Sequence, residues 1–328
     1  MSEFVEIGVV FIKPVVAFPF RHHGSLVCPE AKRMLEEAGF ELVCNDTGEK
    51  LGVEDQKKLI ENAFGIVAGT EKYDADMIAA AENCRVIIRF GVGVDNFDLE
   101  AMRERGIQVG VIENHNAVAE FALTLMLSAM KHLPQYDAVV RQGLWSRFSM
   151  YELRGKTVGI VGFGRIGMRL AELLKAFNTN VIVYDPYVSE ETTKQRGVTK
   201  VELDYLLRES DVVTLHVPST PQTKHLINAD TIARMKQGAI LVNTSRGELV
   251  DEAALYDALK SGKIGAASLD VYEMEPVKKD NPLFELENIT LAPHVAALTK
   301  ETNYNAGIIC AKSIIDTYNG GSPMYPVR

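Results

Sequence analysis

The sequence is poor in cysteine, with four in 328 residues: Cys28, Cys44, Cys84 and Cys310. They form no CxxC pair and show no metal-ligand spacing. Neither a disulfide framework nor a zinc site is encoded, and reduced, packed thiols in a cytoplasmic protein are expected. No HExxH or similar metal pattern occurs, so no metal is expected. Positive charge is also in deficit. The formal net charge of −9 argues against a nucleic-acid partner, which needs a basic face. It leaves room for a small anion held by a few local cations. Long apolar runs are missing too, so no membrane partner is expected. The most apolar helical stretch, AVAEFALTLMLSAM (117–130), carries Glu120 and reads as a helix buried in protein. Near the N-terminus, GVVFIKPVVAFPF is broken by Lys13 and Pro14 and follows Glu3 and Glu6, which is not a signal-peptide pattern.

What is present is a regular alternation of strand-like and helix-like segments in a chain long enough for two domains. The first series of strands reads EIGVVFI (6–12), FELVC (40–44), FGIVA (64–68), RVIIRF (85–90) and IQVGV (107–111). These runs are continuously apolar, as in parallel strands buried on both faces. Amphipathic segments such as PEAKRMLEEAG lie between them, which suggests a flavodoxin-like layout. A second series follows Trp145: TVGIVGF, NVIVYD, DVVTLHV, GAILVN, GAASLDVY and NITLAPH, six strands that suit a doubly wound sheet. The expected fold is α/β with two Rossmann-like domains. A helix over 117–133 bridges them, and the helical C-terminal segment crosses back to the first. The boundaries read as 1–113 with 298–328 for a discontinuous first domain, and 114–297 for the second.

The segment 155–185 is the most informative. A strand enters Gly162-Phe163-Gly164-Arg165-Ile166-Gly167, a helix with apolar Ile166, Leu170, Leu173, Leu174 and Phe177 follows, and a second strand ends at Asp185. Gly162 permits the tight turn, Gly164 lets a pyrophosphate approach the backbone, and Gly167 lets helix and strand pack closely. Asp185 can accept hydrogen bonds from ribose hydroxyls and repels a 2′-phosphate. No arginine follows it in YDPYVS, so the predicted cofactor is NAD rather than NADP. A second glycine turn, RFGVGVDN, makes the two halves a weak pseudo-repeat.

Elsewhere the residues leave alternatives open. Arg246, in LVNTSRGELVD, follows a buried strand, where an arginine is most often a solvated charge. Glu275 can be an exposed acid of the EMEP loop, and His294 a strand-end histidine bonded to backbone. His216 and His225 read as structural, and His115 and His132 have no assigned role.

Taken together, GKTVGIVGFGRIG, VVTLHVPSTPQTKHLIN, LVNTSRGELVDEAALYDAL, ASLDVYEMEP and ITLAPH resemble the D-isomer-specific 2-hydroxyacid dehydrogenases, in the family's order and over nearly the whole chain. RFGVGVDNFDLEAMRERGI resembles the D-3-phosphoglycerate dehydrogenase branch. The resemblance implies NAD-dependent hydride transfer on a small anionic 2-hydroxy or 2-oxo acid. Arg246 is then the catalytic arginine, whose planar fork suits a carboxylate, His294 the acid/base and Glu275 its partner. Asp270 falls near the nicotinamide carboxamide, Arg165 and Ile166 in the pyrophosphate turn, and Thr244 and Ser245 on the cofactor side. The 1–113/298–328 part becomes the substrate-binding domain and 114–297 the NAD-binding Rossmann domain.

On the substrate side, the turn from Arg89 through Val92 and Gly93 is expected to offer backbone N–H groups to the substrate carboxylate, with Asn114 nearby. Arg89 matches a phosphate-side cation of the branch. A second, an arginine at the end of the third strand in the animal enzymes of the branch, is replaced by Ala68-Gly69, and Lys72 or the Arg21-His22-His23 cluster is the candidate substitute. The enzyme alternative is a hydroxypyruvate or glyoxylate reductase. Formate dehydrogenases carry glutamine where Glu275 stands. An NAD-sensing corepressor of the C-terminal binding protein type is the alternative of another class. The resemblance also implies a homodimer built around the bridging helix. Serine feedback through a C-terminal regulatory domain is not expected.

Overall fold

The computed structural model describes residues 13–20 and 28–327. The strand expected at 6–12 and the cluster Arg21, His22 and His23 lie outside the described residues. The chain forms two compact units; one runs to Asn114 and resumes at Thr299, and the other is His115–Leu298.

The first unit holds a five-stranded parallel sheet: β1 (Val15–Phe18), β2 (Glu41–Cys44), β3 (Ala63–Ala68), β4 (Val86–Arg89) and β5 (Gln108–Val111). Their order is β2-β1-β3-β4-β5, the flavodoxin-like arrangement. The first described strand starts just after Pro14. Proline lacks the N–H a ladder needs, so it sits ahead of the strand, and VVAF enters the sheet between β2 and β3. Helices α1 (Pro29–Glu37), α2 (Val53–Ile60), α3 (Ala75–Ala80) and α4 (Leu99–Glu104) connect the strands. Asp74 and Asp98 cap α3 and α4 by accepting from the backbone N–H of Met77 and Ala101. The last helix of the chain, Lys300–Tyr318, joins this unit. Its Ile309 and Ile314 pack with Val16, Phe18 and Leu35 in one apolar cluster. Each such buried aliphatic side chain contributes about 1.5–3 kcal/mol.

The second unit opens with α5 (His115–Lys131) and α6 (Leu133–Arg141), two helices where the sequence suggested one. His132, in left-handed backbone, separates them. The sheet strands are β6 (Thr157–Val161), β7 (Asn180–Tyr184), β8 (Thr199–Lys200), β9 (Val212–Leu215), β10 (Ala239–Asn243), β11 (Ile264–Leu269) and β12 (Ile289–Leu291). Seven parallel strands, one more than expected, run in the order β12-β11-β10-β9-β6-β7-β8. The extra strand, β8, has only two residues, too few to show periodicity. The winding reverses between β6 and β9, so the carboxyl ends of these strands form the switch point where doubly wound sheets bind ligands. On one face α5 lays Ala119, Ala122, Leu125 and Met126 into a cluster with Val158, Ile160, Val242 and Ala266. Between β6 and β7 runs α7 (Arg165–Leu174); between β10 and β11 runs α8 (Glu252–Lys260), capped by Asp251.

Candidate active site

Every candidate catalytic and cofactor residue of the second unit sits on or just beyond the carboxyl end of one of its strands, or at the start of α7. At the end of β6, Gly162 has φ +96°, and a Cβ there would lie 2.6 Å from the His216 carbonyl oxygen. Only glycine fits both demands. A Cβ on Gly167 would lie 2.2 Å from the Gly162 carbonyl oxygen, so helix and turn touch backbone to backbone. A Cβ on Gly164 meets nothing within 4 Å. Gly164 is the N-cap of α7 and supplies no side-chain cap, which leaves room for an anion at the start of the helix that opens with Arg165 and Ile166. Asp185, just past β7, accepts from Phe163 N–H at 2.8 Å and from Tyr187 N–H at 2.8 Å, which sets its carboxylate against the glycine turn. This donor-rich cradle beside an acid suits the pyrophosphate and ribose of a dinucleotide.

Beyond β10, Asn243 shapes the arginine turn. Its side chain donates to the Arg246 carbonyl at 2.8 Å and accepts from Ser245 N–H at 3.0 Å. Ser245 donates its hydroxyl to the Val217 carbonyl at 2.5 Å, and the Arg246 guanidinium donates to the Ser245 carbonyl at 2.7 Å. Thr244 is buried, and its hydroxyl has no hydrogen-bond partner among the described residues. Gly247 is pressed against the next loop: a Cβ there would lie 1.8 Å from the Tyr272 carbonyl carbon. Glycine at this position brings the Arg246 turn into contact with the segment that carries Glu275.

That segment offers two acids, and the structure separates them. Glu275 meets His294 Nδ1 at 2.7 Å through Oε2, and its Oε1 accepts from Tyr272 N–H at 3.1 Å. Glu273 pairs with His225 Nε2 at 2.5 Å. Burial works to raise the Glu275 carboxyl, but the hydrogen bond and charge of His294, the Tyr272 N–H and the Arg246 charge together hold it below the ordinary carboxylate value. With Nδ1 engaged by the carboxylate, His294 keeps Nε2 for a substrate proton.

His294 has φ +55°, a left-handed backbone uncommon outside glycine, and the neighbouring chain holds it there. The holder is Asp270, fully buried beyond β11. Its carbonyl accepts from His294 N–H at 2.7 Å, and its two carboxylate oxygens accept from Val295 and Ala296 N–H at 2.8 Å each. Sequence reasoning placed Asp270 beside the cofactor and missed this clamp, and it missed Asn243, Gly247 and the His225–Glu273 pair. The signals were an amide and an acid at strand ends, Asn243 and Asp270, and a glycine directly after Arg246. His216 is held at Nε2 by the Thr214 hydroxyl at 2.9 Å, and burial lowers its pKa to about 4.

In the first unit, Arg89 ends β4. Its Nε donates to the Gly93 carbonyl at 3.1 Å and its guanidinium to the Phe90 carbonyl at 2.9 Å. Arg89 thus braces the glycine turn in which Val92 is exposed. Asn114 is buried, and its Oδ1 has no hydrogen-bond partner among the described residues.

Residues 123–296 match the family described as D-isomer specific 2-hydroxyacid dehydrogenase, NAD binding domain. The chain belongs to this family, and its second unit is the NAD-binding domain. It is 48% identical over 267 residues to a protein of Archaeoglobus fulgidus named D-3-phosphoglycerate dehydrogenase, covering 80% of this chain and 50% of that one. It is 40% identical over 275 residues to a protein of Thermotoga maritima named hydroxypyruvate reductase, covering 82% of this chain and 89% of that one. A crystal structure of a Thermus thermophilus protein superposes with a TM-score of 0.86 at 32% identity, covering 96% of this chain and all of the other. The chain spans about half the length of the phosphoglycerate dehydrogenases it matches.

Proposed function

We propose that the protein is an NAD-dependent dehydrogenase of a small D-2-hydroxy acid, with Arg246, Glu275 and His294 as its catalytic residues. The observation that carries this reading is the 2.7 Å contact between His294 and Glu275 at the edge of the sheet that also bears Arg246. The guanidinium of Arg246 binds the substrate carboxylate and polarises the adjoining oxo group. Protonated His294 gives its Nε2 proton to that oxygen during reduction, and neutral His294 removes it during oxidation. Glu275 orients the ring through its hydrogen bond to Nδ1. Bound NAD(H) supplies or accepts the hydride at the substrate carbon. Gly162, Gly164, Arg165, Ile166 and Gly167 hold its pyrophosphate, Asp185 its ribose, and Thr244, Ser245 and Asp270 lie on its nicotinamide side. The backbone of Val92 and Gly93, with Arg89 and Asn114, receives the substrate.

The relatives named D-3-phosphoglycerate dehydrogenase favour a phosphoglycerate-type substrate. Ala68-Gly69, at the strand end where that branch is expected to place an arginine, favours the second reading, a hydroxypyruvate or glyoxylate reductase. NADH oxidation with 3-phosphohydroxypyruvate, hydroxypyruvate, glyoxylate and 2-oxoglutarate, and NADPH as control, tests both. Turnover of one of these acids with NADH supports a dehydrogenase and identifies which. No turnover, with NADH still bound, points to another 2-oxo acid or to a corepressor-like binding protein, and a peptide-binding assay with and without NADH separates the two.

The working form we propose is a cytoplasmic homodimer. Leu133, Val140, Leu144 and Trp145 expose apolar surface, and Trp145 is 80% exposed. A second copy burying this arm accounts for it. Light scattering showing a monomer at micromolar concentration would defeat the dimer. Buried, free Cys84 and Cys310, their thiols pushed up by burial, suit a reducing compartment.

A further inference from the structure

The carboxyl edge of the first unit's sheet holds a carboxylate with no role so far. Ala68, the last residue of β3, pairs in register with Arg89, the last of β4. Three residues on stands Glu71, only 7% exposed. Its side chain turns back over the strand end: a Cβ on Gly69 would lie 2.6 Å from Phe20 Cβ, 2.7 Å from Glu71 Oε2 and 3.0 Å from Oε1. Phe20 and the Glu71 carboxylate together fill the side-chain space at Gly69. Asn96 donates its amide to the Glu71 backbone carbonyl, which fixes the loop but leaves the acid group alone. Oε2 is buried and has no hydrogen-bond partner among the described residues. A buried carboxylate oxygen without a donor is costly, so a fold that keeps one has a donor to bring to it.

Arg89 shares this neighbourhood. Burial first, and then the Glu71 charge, push the phenol of buried Tyr73 well above its usual range, and the Arg89 charge works against them. The edge thus presents a cation at β4 and an anion at β3. An arginine at the β3 end would make both positive, as a phosphate requires; here that position is electrically inverted.

We infer that Glu71 is a specificity-determining residue: it accepts a hydrogen bond from a donor group, hydroxyl or ammonium, at the distal end of a 2-oxo acid, and it excludes a distal phosphate. This rests on the dehydrogenase reading above. Arg89 and the turn it braces take the carboxylate end, and Glu71 reads the other end.

The test uses the full-length protein with NADH. Hydroxypyruvate and 2-oxobutanoate differ by a hydroxyl against a methyl, so their kcat/KM ratio isolates the donor. An acid with a guanidinium end, 5-guanidino-2-oxopentanoate, distinguishes a cationic donor from a neutral one, and 3-phosphohydroxypyruvate reports on the phosphate. Wild type is expected to prefer a donor-bearing acid over 2-oxobutanoate by about tenfold or more, the scale of a hydrogen bond to a charged group. Glu71→Gln lowers that ratio and raises kcat/KM for 3-phosphohydroxypyruvate by about tenfold, because the repelling charge is gone. Glu71→Asp keeps the charge, and with it the rejection of phosphate, but loses reach and lowers the donor ratio. Melting curves and NADH binding, which belongs to the other unit, show that each variant is folded; if the glutamine variant unfolds, the aspartate variant carries the test. Ratios unchanged in a folded variant, or a wild type that prefers the phosphorylated acid, overturn the proposal. A wild type inert toward all four acids overturns the dehydrogenase reading itself, and this proposal with it.

Discussion

Glu275 and His294 meet at 2.7 Å, while Glu273, two residues earlier in the same loop, takes the other histidine within reach, His225. The two acids are chemically identical and two residues apart, so their substitutions form a matched experiment. In the proposed reaction His294 exchanges the substrate proton, and Glu275 holds the ring that does so. Glu275→Gln replaces a charge-assisted hydrogen bond with a neutral one, so kcat is expected to fall about tenfold or more while NADH binding is kept. Glu273→Gln, whose carboxylate meets His225 instead, is expected to keep kcat. Equal kcat in the two variants would refute the pairing.

Arg246→Ala and His294→Ala are expected to lose turnover while keeping NADH. Loss of the acid/base costs about 10²–10⁴-fold in rate, and loss of a preorganised charge about 10²–10³-fold. Fluorescence titration of NADH should match wild type in both, because the glycine turn belongs to β6 and α7. A rate near wild type in either variant would refute its assignment.

Asp270→Asn tests the clamp on the His294 backbone. An amide can accept at only one of the two positions where the carboxylate now accepts, so either Val295 or Ala296 N–H loses its partner. The cost is about 1–3 kcal/mol of stability, and kcat falls much more than KM rises, because the histidine is displaced while the carboxylate-binding groups remain. A variant altered only in KM for the acid would show that Asp270 contacts substrate instead.

Gly247→Ala places a methyl where the Tyr272 carbonyl already stands. Overpacking of this kind costs about 1–3 kcal/mol. Here it also parts the arginine turn from the Glu275 segment, so activity should fall further than the melting temperature suggests. Wild-type rate and melting temperature together would show that the contact is dispensable.

The glycine turn was legible because Gly162, Gly164 and Gly167 each answer a backbone demand that no other residue meets, and the strands were legible because they are apolar on both faces. Helix α6 was not, since none of its residues is buried and LPQYDAVVR has no core face to display. Nor does spacing alone decide between Glu273 and Glu275, because both lie in one loop and only the folded chain assigns a histidine to each. Glu71 escaped notice for a related reason: an acid in a polar loop looks solvated until the strand ends of β3 and β4 are set side by side.

The turns that carry Arg246, Asp270 and His294 leave three neighbouring strands, β10, β11 and β12, whose ladders lock Asn243 beside Leu269 and Leu269 beside Leu291. Arg246, Asp270 and His294 therefore have no hinge among themselves. Their spacing is inherited from interstrand hydrogen bonds, which are among the last amides of a domain to exchange with solvent. On heating, loss of this arrangement should coincide with melting of the NAD-binding domain and not precede it.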